Sequence, residues 1–417
     1  MTNQPLITQF QNIYIEEKSL DSEPAQKAFQ IFPKNHIHII KDKSDLKTLS
    51  NMSADQFNQS KKNLLLCSFK GKFFKRCPGA RPGLICCNYF VLNLGQHCEM
   101  DCSYCYLQSL INFPFVTIYT NIEDALKELS GIASEMKDHK LRIGTGEITD
   151  SLSLDDITLY STHLLNYFKQ HPHWTLEFKT KSANIKNFVH KEHCGNIIVS
   201  WSLNPQYIIE KEEHGTASLN ERLNAARLCR DKGFPVAFHL DPVIYHKEWK
   251  ENYSNMIQKI TSLFKPEEVS HISLGALRFQ PEQRHIMRER FGMKSLVTKG
   301  EYFKSKDGKL RYDSQLRQQM FQFIFSQFIP NRYRKNDTLQ NLSLPLAEST
   351  ETTGKRKLSR YKNSPPKWNL FLCMENKENW LATTNQLPSK IEKTNNLFDL
   401  KPVRAFSQLS NETMKNA

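Results

Sequence analysis

The sequence predicts an α/β fold in which short parallel strands alternate with helices. Six apolar runs with the length of strands recur between residues 90 and 280, and segments with helical periodicity separate most of them. One helical segment ends at Gly233, a residue that suits a C-terminal cap. The alternation predicts parallel β/α units wound into an open or closed barrel. The predicted strands are 90–95, 140–145, 174–179, 196–201, 235–240 and 271–276. The predicted helices are 122–136, 155–170, 217–233 and 249–264, with a shorter helical connection at 183–193.

Length and composition describe a globular protein with a buried core. The chain has 417 residues, of which 39% are apolar and 24% are charged. The first residues lack the basic patch and apolar run of a secretory signal. No apolar stretch approaches the roughly 20 residues that span a bilayer. We therefore expect a cytoplasmic protein without a membrane partner.

Changes in composition along the chain predict five segments. A polar beginning is followed by the rhythm of strands and helices, then by basic and aromatic sequence. A polar stretch rich in Ser, Thr and Lys next indicates a flexible linker. The predicted segments are an N-terminal extension with a Cys/Lys-rich lead-in (1–85), the β/α core (86–290), a basic and aromatic helical segment (291–330), the linker (331–366), and a C-terminal docking segment and tail (367–417).

The chain carries a formal net charge of +14. Lys and Arg side chains gain free energy by displacing counterions from phosphates, so this excess suits a polyanionic partner such as DNA. Each basic patch taken alone, for example 70–76 or 355–362, is more often a solvated face. The total charge favours nucleic acid as a partner.

Three cysteines lie within nine residues in the sequence CEMDCSYCY at 98–106. In a reducing compartment, clustered cysteines indicate metal binding or catalysis more often than disulfides. Thiolates at x3 and x2 spacing can hold three corners of a cubane iron–sulfur cluster, which leaves one iron open to a chelating small molecule. The alternatives are a structural zinc site with His97 or Cys87 as the fourth ligand, and reduced core cysteines.

Polar residues follow each of the first five predicted strands. Function in parallel β/α folds lies at the carboxyl ends of the strands, so these residues converge on one rim. Besides the cysteines, the rim carries Glu147, the segment 179–182, Ser202, Asn204 and Asp241.

The motif CEMDCSYCY resembles the C-x3-C-x2-C signature of the radical S-adenosylmethionine (SAM) superfamily. Together with RIGTGEITDSL, FKTKS, WSLNP and FHLDPV, it resembles the spore photoproduct lyase family over about residues 60–290, with an echo in NLFLCME at 369–375. The resemblance implies a partial (β/α)6 TIM-like barrel of the radical SAM type, with an N-terminal extension and a C-terminal addition. It also implies an enzyme of the carbon–carbon lyase class.

The resemblance assigns roles to residues of the rim. Cys98, Cys102 and Cys105 would hold a 4Fe-4S cluster whose open iron chelates SAM. Glu147 matches an acidic partner of the SAM ammonium, although a carboxylate there also suits the cap of the following helix. Lys181 matches a lysine near the SAM carboxylate, and its alternative is a solvated position in a basic run.

Further roles are implied, each with a plain structural alternative. Ser202 would hydrogen-bond the SAM ribose, although Ser202 and Asn204, the next candidate cofactor ligand, also suit a turn before proline. Asp241 would contact SAM or substrate, and Asp before Pro is likewise common in turns. Tyr104 and Tyr106 would relay a hydrogen atom or line the SAM pocket, whereas Tyr104 alternatively packs as an aromatic side chain.

The chemistry implied by the resemblance is radical fragmentation of a DNA lesion. An electron donor such as a flavodoxin or ferredoxin reduces the cluster, and SAM is cleaved to methionine and a 5′-deoxyadenosyl radical. That radical abstracts a hydrogen atom from the substrate. In spore photoproduct lyase, the substrate radical then fragments, and a methyl-bridged thymine dimer in DNA returns to two thymines.

One departure from the family pattern leaves the substrate open. The family uses a cysteine just beyond the second strand as hydrogen donor, and the matching stretch 141–155 contains none. Glu147 cannot donate a hydrogen atom as a thiol does. The departure favours one alternative, a radical SAM enzyme acting on RNA or a peptide. A third reading, from a different class, is a non-enzymatic metal-bearing protein that binds nucleic acid. Cys77, Cys86 and Cys87 could supply the donor or bind a second metal, or remain reduced thiols.

Overall fold

The described part of the chain covers both the N-terminal region and the predicted core. The structure is a computed structural model that describes residues 9–46, 52–79, 81–136, 140–329 and 368–384, with the backbone of 401–402. The predicted linker at 331–366 and the side chain of Cys86 lie outside these residues. No helix in the described ranges is long and apolar enough to cross a membrane.

Most strands belong to two sheets, one of eight strands and one of five. The strands are β1 Asn12–Glu16, β2 Ile37–Ile40, β3 Asn63–Cys67, β4 Phe74–Arg76, β5 Ile85–Cys86, β6 Tyr89–Leu92, β7 Gly95–Gln96, β8 Asp101–Cys102, β9 Val116–Tyr119, β10 Arg142–Gly144, β11 Thr175–Thr180, β12 Ile197–Ser202, β13 Glu213–His214, β14 Val236–Val243, β15 Val269–Ala276, β16 Arg278–Phe279, β17 Phe303–Lys304, β18 Leu310–Arg311, β19 Leu370–Leu372 and β20 Lys401–Pro402.

The eight-stranded sheet contains all six predicted strands in their chain order. Its order is β19-β15-β14-β12-β11-β10-β6-β4, and the six strands from β6 to β15 are parallel to one another. Trp201 and Phe238 are fully buried on these strands, as expected for a parallel sheet whose two faces are covered. The sheet curls into a half-barrel, which confirms the predicted partial TIM-like barrel.

Amphipathic helices separate most of the barrel strands. In α8, Ser218 Oγ accepts the Glu221 N–H (3.3 Å) and the Glu221 carboxylate accepts the Ser218 N–H (2.7 Å), a capping box that begins the helix. Gly233 follows this helix with a φ of 93°, a conformation that glycine adopts without strain. The connection 183–193 forms turns instead of the predicted helix. The helices are α1 Glu23–Ile31, α2 Ala54–Ser60, α3 Leu107–Leu110, α4 Ile122–Glu135, α5 Asp155–Thr158, α6 Tyr160–Lys169, α7 Gln206–Glu212, α8 Leu219–Asp231, α9 Trp249–Leu263, α10 Gln283–Phe291, α11 Leu296–Lys299, α12 Ser314–Gln327 and α13 Lys377–Thr384.

The five-stranded sheet joins the N-terminal region to the chain on both sides of the cysteines. Its order is β2-β1-β3-β9-β7, with β1, β2, β3 and β9 parallel. Strand β7 directly precedes the cysteine loop (residues 98–105), and β9 follows it. The loop is therefore anchored between the barrel sheet and the N-terminal sheet.

The two edges of the barrel sheet are joined by neighbouring segments. Strand β4 pairs antiparallel with β6 at one edge, and β19 pairs parallel with β15 at the other. The Ile85 N–H, before β6, donates to the Glu375 carbonyl (3.0 Å), after β19. We call this contact region, residues 77–79, 81–87 and 373–376, the seam.

Candidate active site

The cysteine loop lies beyond the carboxyl end of β6, on the rim where the other parallel strands end. Within the loop, β8 pairs antiparallel with β13, which places Glu213 opposite Cys102 and His214 opposite Asp101. The Cys105 N–H donates to the Cys102 carbonyl (3.0 Å) and closes a turn between these two cysteines. The loop is thus tied to the segment that follows α7.

Side chains from distant segments satisfy carbonyl groups of the loop. Lys61 Nζ donates to the Cys98 carbonyl (2.7 Å). Gln283 Nε2 donates to the carbonyls of Tyr104 and Cys105 (both 3.0 Å). Paired carbonyls give the loop a defined conformation before any ligand binds.

Burial keeps two of the loop thiols protonated when no metal is bound. Burial, reinforced by the charge of Glu99, raises the pKa of the Cys98 thiol well above its ordinary value. Burial also raises the pKa of Cys102 to about 12, although Lys181 opposes this shift. Metal binding deprotonates thiols by direct coordination, so the site would gain its negative charge together with its metal.

The spacing of the three thiols suits a cluster better than a zinc ion. Zn–S bonds of about 2.3 Å place tetrahedral ligands about 3.8 Å apart. In the part of the chain that the structure describes, one group of three potential metal ligands has all its ligand atoms within 4.8 Å of one another. That group is Glu177, His239 and His271, and it does not include the loop thiols. Neither His97 nor Cys87 completes such a group with the loop thiols. A cubane binds each thiolate through a different iron and accepts a wider spacing.

Tyr104 and Tyr106 contact different parts of the site. The buried Tyr104 hydroxyl donates to the Glu213 carboxylate, and Lys181 Nζ lies 5.9 Å from the centroid of the Tyr104 ring. The Tyr106 hydroxyl donates to the Glu147 carbonyl (2.8 Å), and the Tyr106 residue is 39% exposed. Tyr104 therefore belongs to the buried side of the site and Tyr106 to its open side.

Lys181 and Glu147 bring opposite charges to the site. Burial disfavours the charge of Lys181, but Glu213 and Cys102 outweigh burial and raise the pKa of Lys181 above its ordinary value. Burial raises the pKa of Glu147 to about 6, against the opposing charge of Lys179. At neutral pH, Lys181 is therefore cationic and Glu147 is mostly anionic.

Ser202 and Asn204 form hydrogen bonds within the protein. The Ser202 carbonyl accepts from Arg222 Nη1 (2.8 Å). Asn204 donates to Glu213 (2.8 Å) and accepts from the Tyr253 hydroxyl (2.9 Å). The amide of Asn204 is occupied at both ends, so it supports the carboxylate beside Cys102. The roles of Ser202 and Asn204 as cofactor ligands stay predictions.

Asp241 forms a two-point ion pair with Arg278 near the end of β14. Its carboxylate oxygens accept from the Arg278 guanidinium at 2.8 and 2.9 Å. Burial opposes ionisation, but Arg278 outweighs it and holds the pKa of Asp241 well below its ordinary value. The pair places a guanidinium on the rim that sequence analysis did not single out. A contact of Asp241 with SAM or substrate stays a prediction.

Comparison with known proteins identifies the family to which this chain belongs. The family model for spore photoproduct lyase matches residues 8–335. The chain belongs to the spore photoproduct lyase family. It is 25% identical over 267 residues to the spore photoproduct lyase of Bacillus subtilis (strain 168), across 63% of this chain and 75% of that protein. It is therefore an enzyme of the radical SAM lyase type, and the non-enzymatic alternative has no support.

Solved structures of spore photoproduct lyase share the fold. A spore photoproduct lyase complexed with dinucleoside spore photoproduct is similar at a TM-score of 0.67 and 20% identity, with 78% of this chain and 96% of that chain covered. A mutant with bound AdoMet and the same dinucleoside has a TM-score of 0.66 at 20% identity, with 76% and 95% covered. The similarity confirms the predicted fold class.

Glu213 is a central acidic residue of this spore photoproduct lyase family member that no sequence motif indicated. Glu213 pairs with the buried Arg222 (2.7 Å) and accepts hydrogen bonds from Tyr104 and Asn204. Burial opposes the charge of Glu213, but Arg222 and Lys181 outweigh it and lower the pKa of Glu213 to about 2. In the sequence, KEEHG offers only two adjacent carboxylates as a signal.

A second polar group lies inside the half-barrel of this spore photoproduct lyase relative. Arg142 Nε donates to Glu177 (2.8 Å), and Nε2 of His239 lies 2.5 Å from Glu177 Oε1. His271 Nε2 lies 3.0 Å from Arg142 Nη2. Arg142 already balances the charge of Glu177, which disfavours a divalent metal among these side chains. Polar residues within otherwise apolar strands were the available sequence signal.

Three cysteines outside the loop whose side chains the structure describes lie at the seam. Cys373 follows β19, and its Sγ lies 4.0 Å from Arg278 Nη2. Burial raises the pKa of Cys373 well above its ordinary value, so it is a protonated thiol. The Cys77 N–H donates to the Tyr89 carbonyl (3.0 Å). Cys77 and Cys87 act on Cys373 and raise its pKa further, so the three thiols lie near one another beside Arg278.

Proposed function

We propose that this chain is a radical SAM enzyme that returns a thymine photoproduct in DNA to two thymines. The observation that carries the proposal is the loop of three thiols beside a charged Lys181, in a chain of the spore photoproduct lyase family. The relative from Bacillus subtilis is named for this class of lesion, and a solved structure of a spore photoproduct lyase contains a dinucleoside form of it.

Cys98, Cys102 and Cys105 would hold a 4Fe-4S cluster. Thiols are the ligands that iron–sulfur clusters use, and three of them leave one corner for SAM. When bound, the cluster and SAM supply a 5′-deoxyadenosyl radical that abstracts a hydrogen atom from the lesion. The surrounding side chains bind, orient and shield these groups.

Lys181 and Glu147 suit the two charges of the amino-acid part of SAM. Lys181 stays cationic beside Cys102 and would bind the SAM carboxylate. Glu147 is mostly anionic at neutral pH and would accept the SAM ammonium. Both charges are partly shielded from water, which strengthens their attraction for SAM. Tyr104 and Glu213 hold the buried side of this pocket in place.

A hairpin near the rim supports DNA as the partner. Strands β17 and β18 pair antiparallel, and β18 also pairs with β16. Phe303 is 58% exposed beside the exposed Lys304. Arg311 donates to the Met374 carbonyl (3.3 Å) and attaches the hairpin to the seam. An exposed aromatic ring next to cations can stack on bases while the cations bind phosphates.

The missing cysteine favours one alternative function. The stretch 141–155 lacks the thiol that the family pattern implies. A radical SAM enzyme that modifies RNA or a peptide would share the cluster and SAM but would not need that donor. The two functions therefore differ in their substrate and in whether a thiol must donate the last hydrogen atom.

The test uses anaerobic, cluster-reconstituted protein with dithionite, SAM and DNA that carries the spore photoproduct. Recovered thymine and 5′-deoxyadenosine are quantified, and Cys102→Ala is the control. We expect thymine to be recovered only with the intact cysteine loop. Production of 5′-deoxyadenosine without loss of the lesion would contradict the repair function and favour another substrate. Zinc instead of iron in the purified protein would overturn the cluster.

A further inference from the structure

A cavity of about 320 Å3 opens on the outside of the cysteine loop. Its wall is formed by α7, by the residue after Glu213, and by the segment between α10 and α11. The lining residues are Tyr207, Lys211, Glu212, His214, Phe291, Lys294, Ser295, Leu296 and Lys299. None of these side chains has a role in the proposed binding of SAM or DNA.

Positive charge exceeds negative charge in the lining of the cavity. Lys211, Lys294 and Lys299 are exposed, and none of them forms an ion pair with a described residue. The carboxylate in the cavity wall, Glu212, is buried and accepts hydrogen bonds from the Ser295 hydroxyl (2.7 Å) and the Leu296 N–H (2.6 Å). These donors are neutral and leave the charge of Glu212 in place, so three exposed lysines against one buried carboxylate give the cavity lining an excess of positive charge.

Apolar and aromatic groups lie among these lysines. Tyr207 is 37% exposed, and Met293, next to Lys294, is 56% exposed. The rings of His214 and Phe291 stack with their centroids 5.8 Å apart. Exposed aromatic and methionine side chains at the centre of a charged surface are typical of protein–protein interfaces.

The cavity wall is directly joined to the cysteine loop. His214 lies opposite Asp101, and its neighbour Glu213 lies opposite Cys102. The Ser103 N–H also donates to the Glu212 carbonyl (2.8 Å). A molecule seated in the cavity is therefore separated from the site of the cluster by little more than one pair of short strands. The hairpin proposed for DNA instead joins β16 and the seam.

We propose that this surface binds a small acidic electron-transfer protein of the flavodoxin or ferredoxin type. The inference rests on the proposed function, because only a redox-active cluster needs such a partner. In the step served by the surface, one electron leaves the reduced partner and enters the oxidised cluster, and no bond forms or breaks. Charge complementarity steers the acidic partner to the lysines, and Tyr207 and Met293 provide the apolar contact.

The test compares two triple variants with the wild-type protein. The first is Lys211→Glu/Lys294→Glu/Lys299→Glu. The second, a matched control, changes the exposed Lys34, Lys41 and Lys127 to Glu. It has the same net charge as the first variant, but its three positions are distant in sequence from the cavity wall. Binding of an oxidised bacterial flavodoxin and of a ferredoxin is measured by calorimetry on protein without cluster, at low and at high salt.

We expect the cavity variant to weaken flavodoxin or ferredoxin binding at least about tenfold at low salt, and the control variant to bind like wild type. In reconstituted protein, reduction of the cluster by the protein donor, followed by EPR, should slow in the cavity variant. Reduction by dithionite, which needs no docking surface, should be unchanged.

Three results would overturn the proposal. They are equal binding by both variants, no binding of either donor by wild type, and loss of DNA affinity in the cavity variant with donor binding intact. The last result would assign the surface to DNA. If the wild-type cluster is reduced by the donor but the lesion persists, the repair function fails while the docking surface stands.

Discussion

Glu213 lies opposite Cys102 in the pairing of β13 with β8, and its carboxylate is shared by Tyr104, Asn204 and Arg222. A cysteine of the loop and a buried ion pair thus form one structural unit. With Lys181 nearby, this unit carries two cations and one carboxylate on the buried side of the site. An anionic cluster held by thiolates would complete the charge balance.

Removal of the Glu213 charge should destabilise the protein. We expect Glu213→Gln to lower the free energy of unfolding by about 3 to 5 kcal/mol, because Arg222 would remain buried without its charge partner. Urea unfolding at pH 7 measures the change. Glu210→Gln, at an exposed position on α7, is the control, and an equal loss in the two variants would contradict the prediction.

The same carboxylate predicts a pH dependence of stability. The pKa of Glu213 is about 2 in the folded protein, below its ordinary value of 4.5. Its contribution to stability is therefore fully present above about pH 4.5 and is lost as the pH falls towards 2. We expect wild type to lose stability more steeply than Glu213→Gln over this range. Parallel curves would count against the assignment.

Lys181 should determine the affinity for SAM. A charge-assisted hydrogen bond contributes about 1.5 to 3 kcal/mol, so we expect Lys181→Ala to raise the Kd for SAM by about 10- to 100-fold. Equilibrium dialysis on reconstituted protein measures this. Lys186→Ala is the control, since Lys186 is exposed and pairs with Asp156 (2.9 Å). An unchanged Kd in Lys181→Ala would remove Lys181 from the site.

Glu147 should make SAM binding sensitive to pH. Its pKa is about 6, so the carboxylate that would accept the SAM ammonium is lost as the pH falls through 6. We expect the affinity of wild type for SAM to fall between pH 7 and pH 5. In Glu147→Gln the affinity should be lower at pH 7 and nearly constant. A wild-type profile that is flat over this range would contradict the role.

Phe303 should contribute to DNA binding. Stacking of a base on an aromatic side chain is worth about 1 to 3 kcal/mol, so Phe303→Ala should raise the Kd for lesion-bearing DNA by about 5- to 100-fold. Fluorescence anisotropy at fixed salt measures the Kd. Phe29→Ala removes another exposed ring and is the control. Equal affinities of both variants and wild type would exclude the hairpin as a contact.

We propose Cys373, whose Sγ lies 4.0 Å from Arg278 Nη2, as the thiol that replaces the missing hydrogen donor, with Cys77 and Cys87 as the neighbouring alternatives. Its S–H hydrogen exchanges with solvent, so repair in D2O should place deuterium in the recovered thymine. The S–D bond of the exchanged thiol breaks and a C–D bond forms, which leaves a thiyl radical. One electron from the low-potential reductant and one deuteron from solvent restore the thiol. We expect Cys373→Ala to lose this deuterium while Cys77→Ala and Cys87→Ala retain it. Retention in Cys373→Ala would point to another donor.

Local patterns were sufficient for much of the fold. The six barrel strands were predicted within a few residues because burial on both faces imposes apolar runs of strand length. The segment 183–193 was the exception, since a short periodic stretch forms turns when it lacks a full helical stripe to bury. In the N-terminal sheet, β3, β7 and β9 were not predicted, and β7 is only two residues long.

The sequence by itself determined the three-thiol motif, the parallel β/α order and the residues at the strand ends, because each depends on neighbours in the chain. Which charged side chains lie next to these residues depends on the tertiary structure alone. Arg222 reaches Glu213, Arg278 reaches Asp241, and Cys373 reaches the rim through pairings between distant segments. Such partners are selected by burial, where a charge without a counter-charge is costly, and burial is a property of the packed fold.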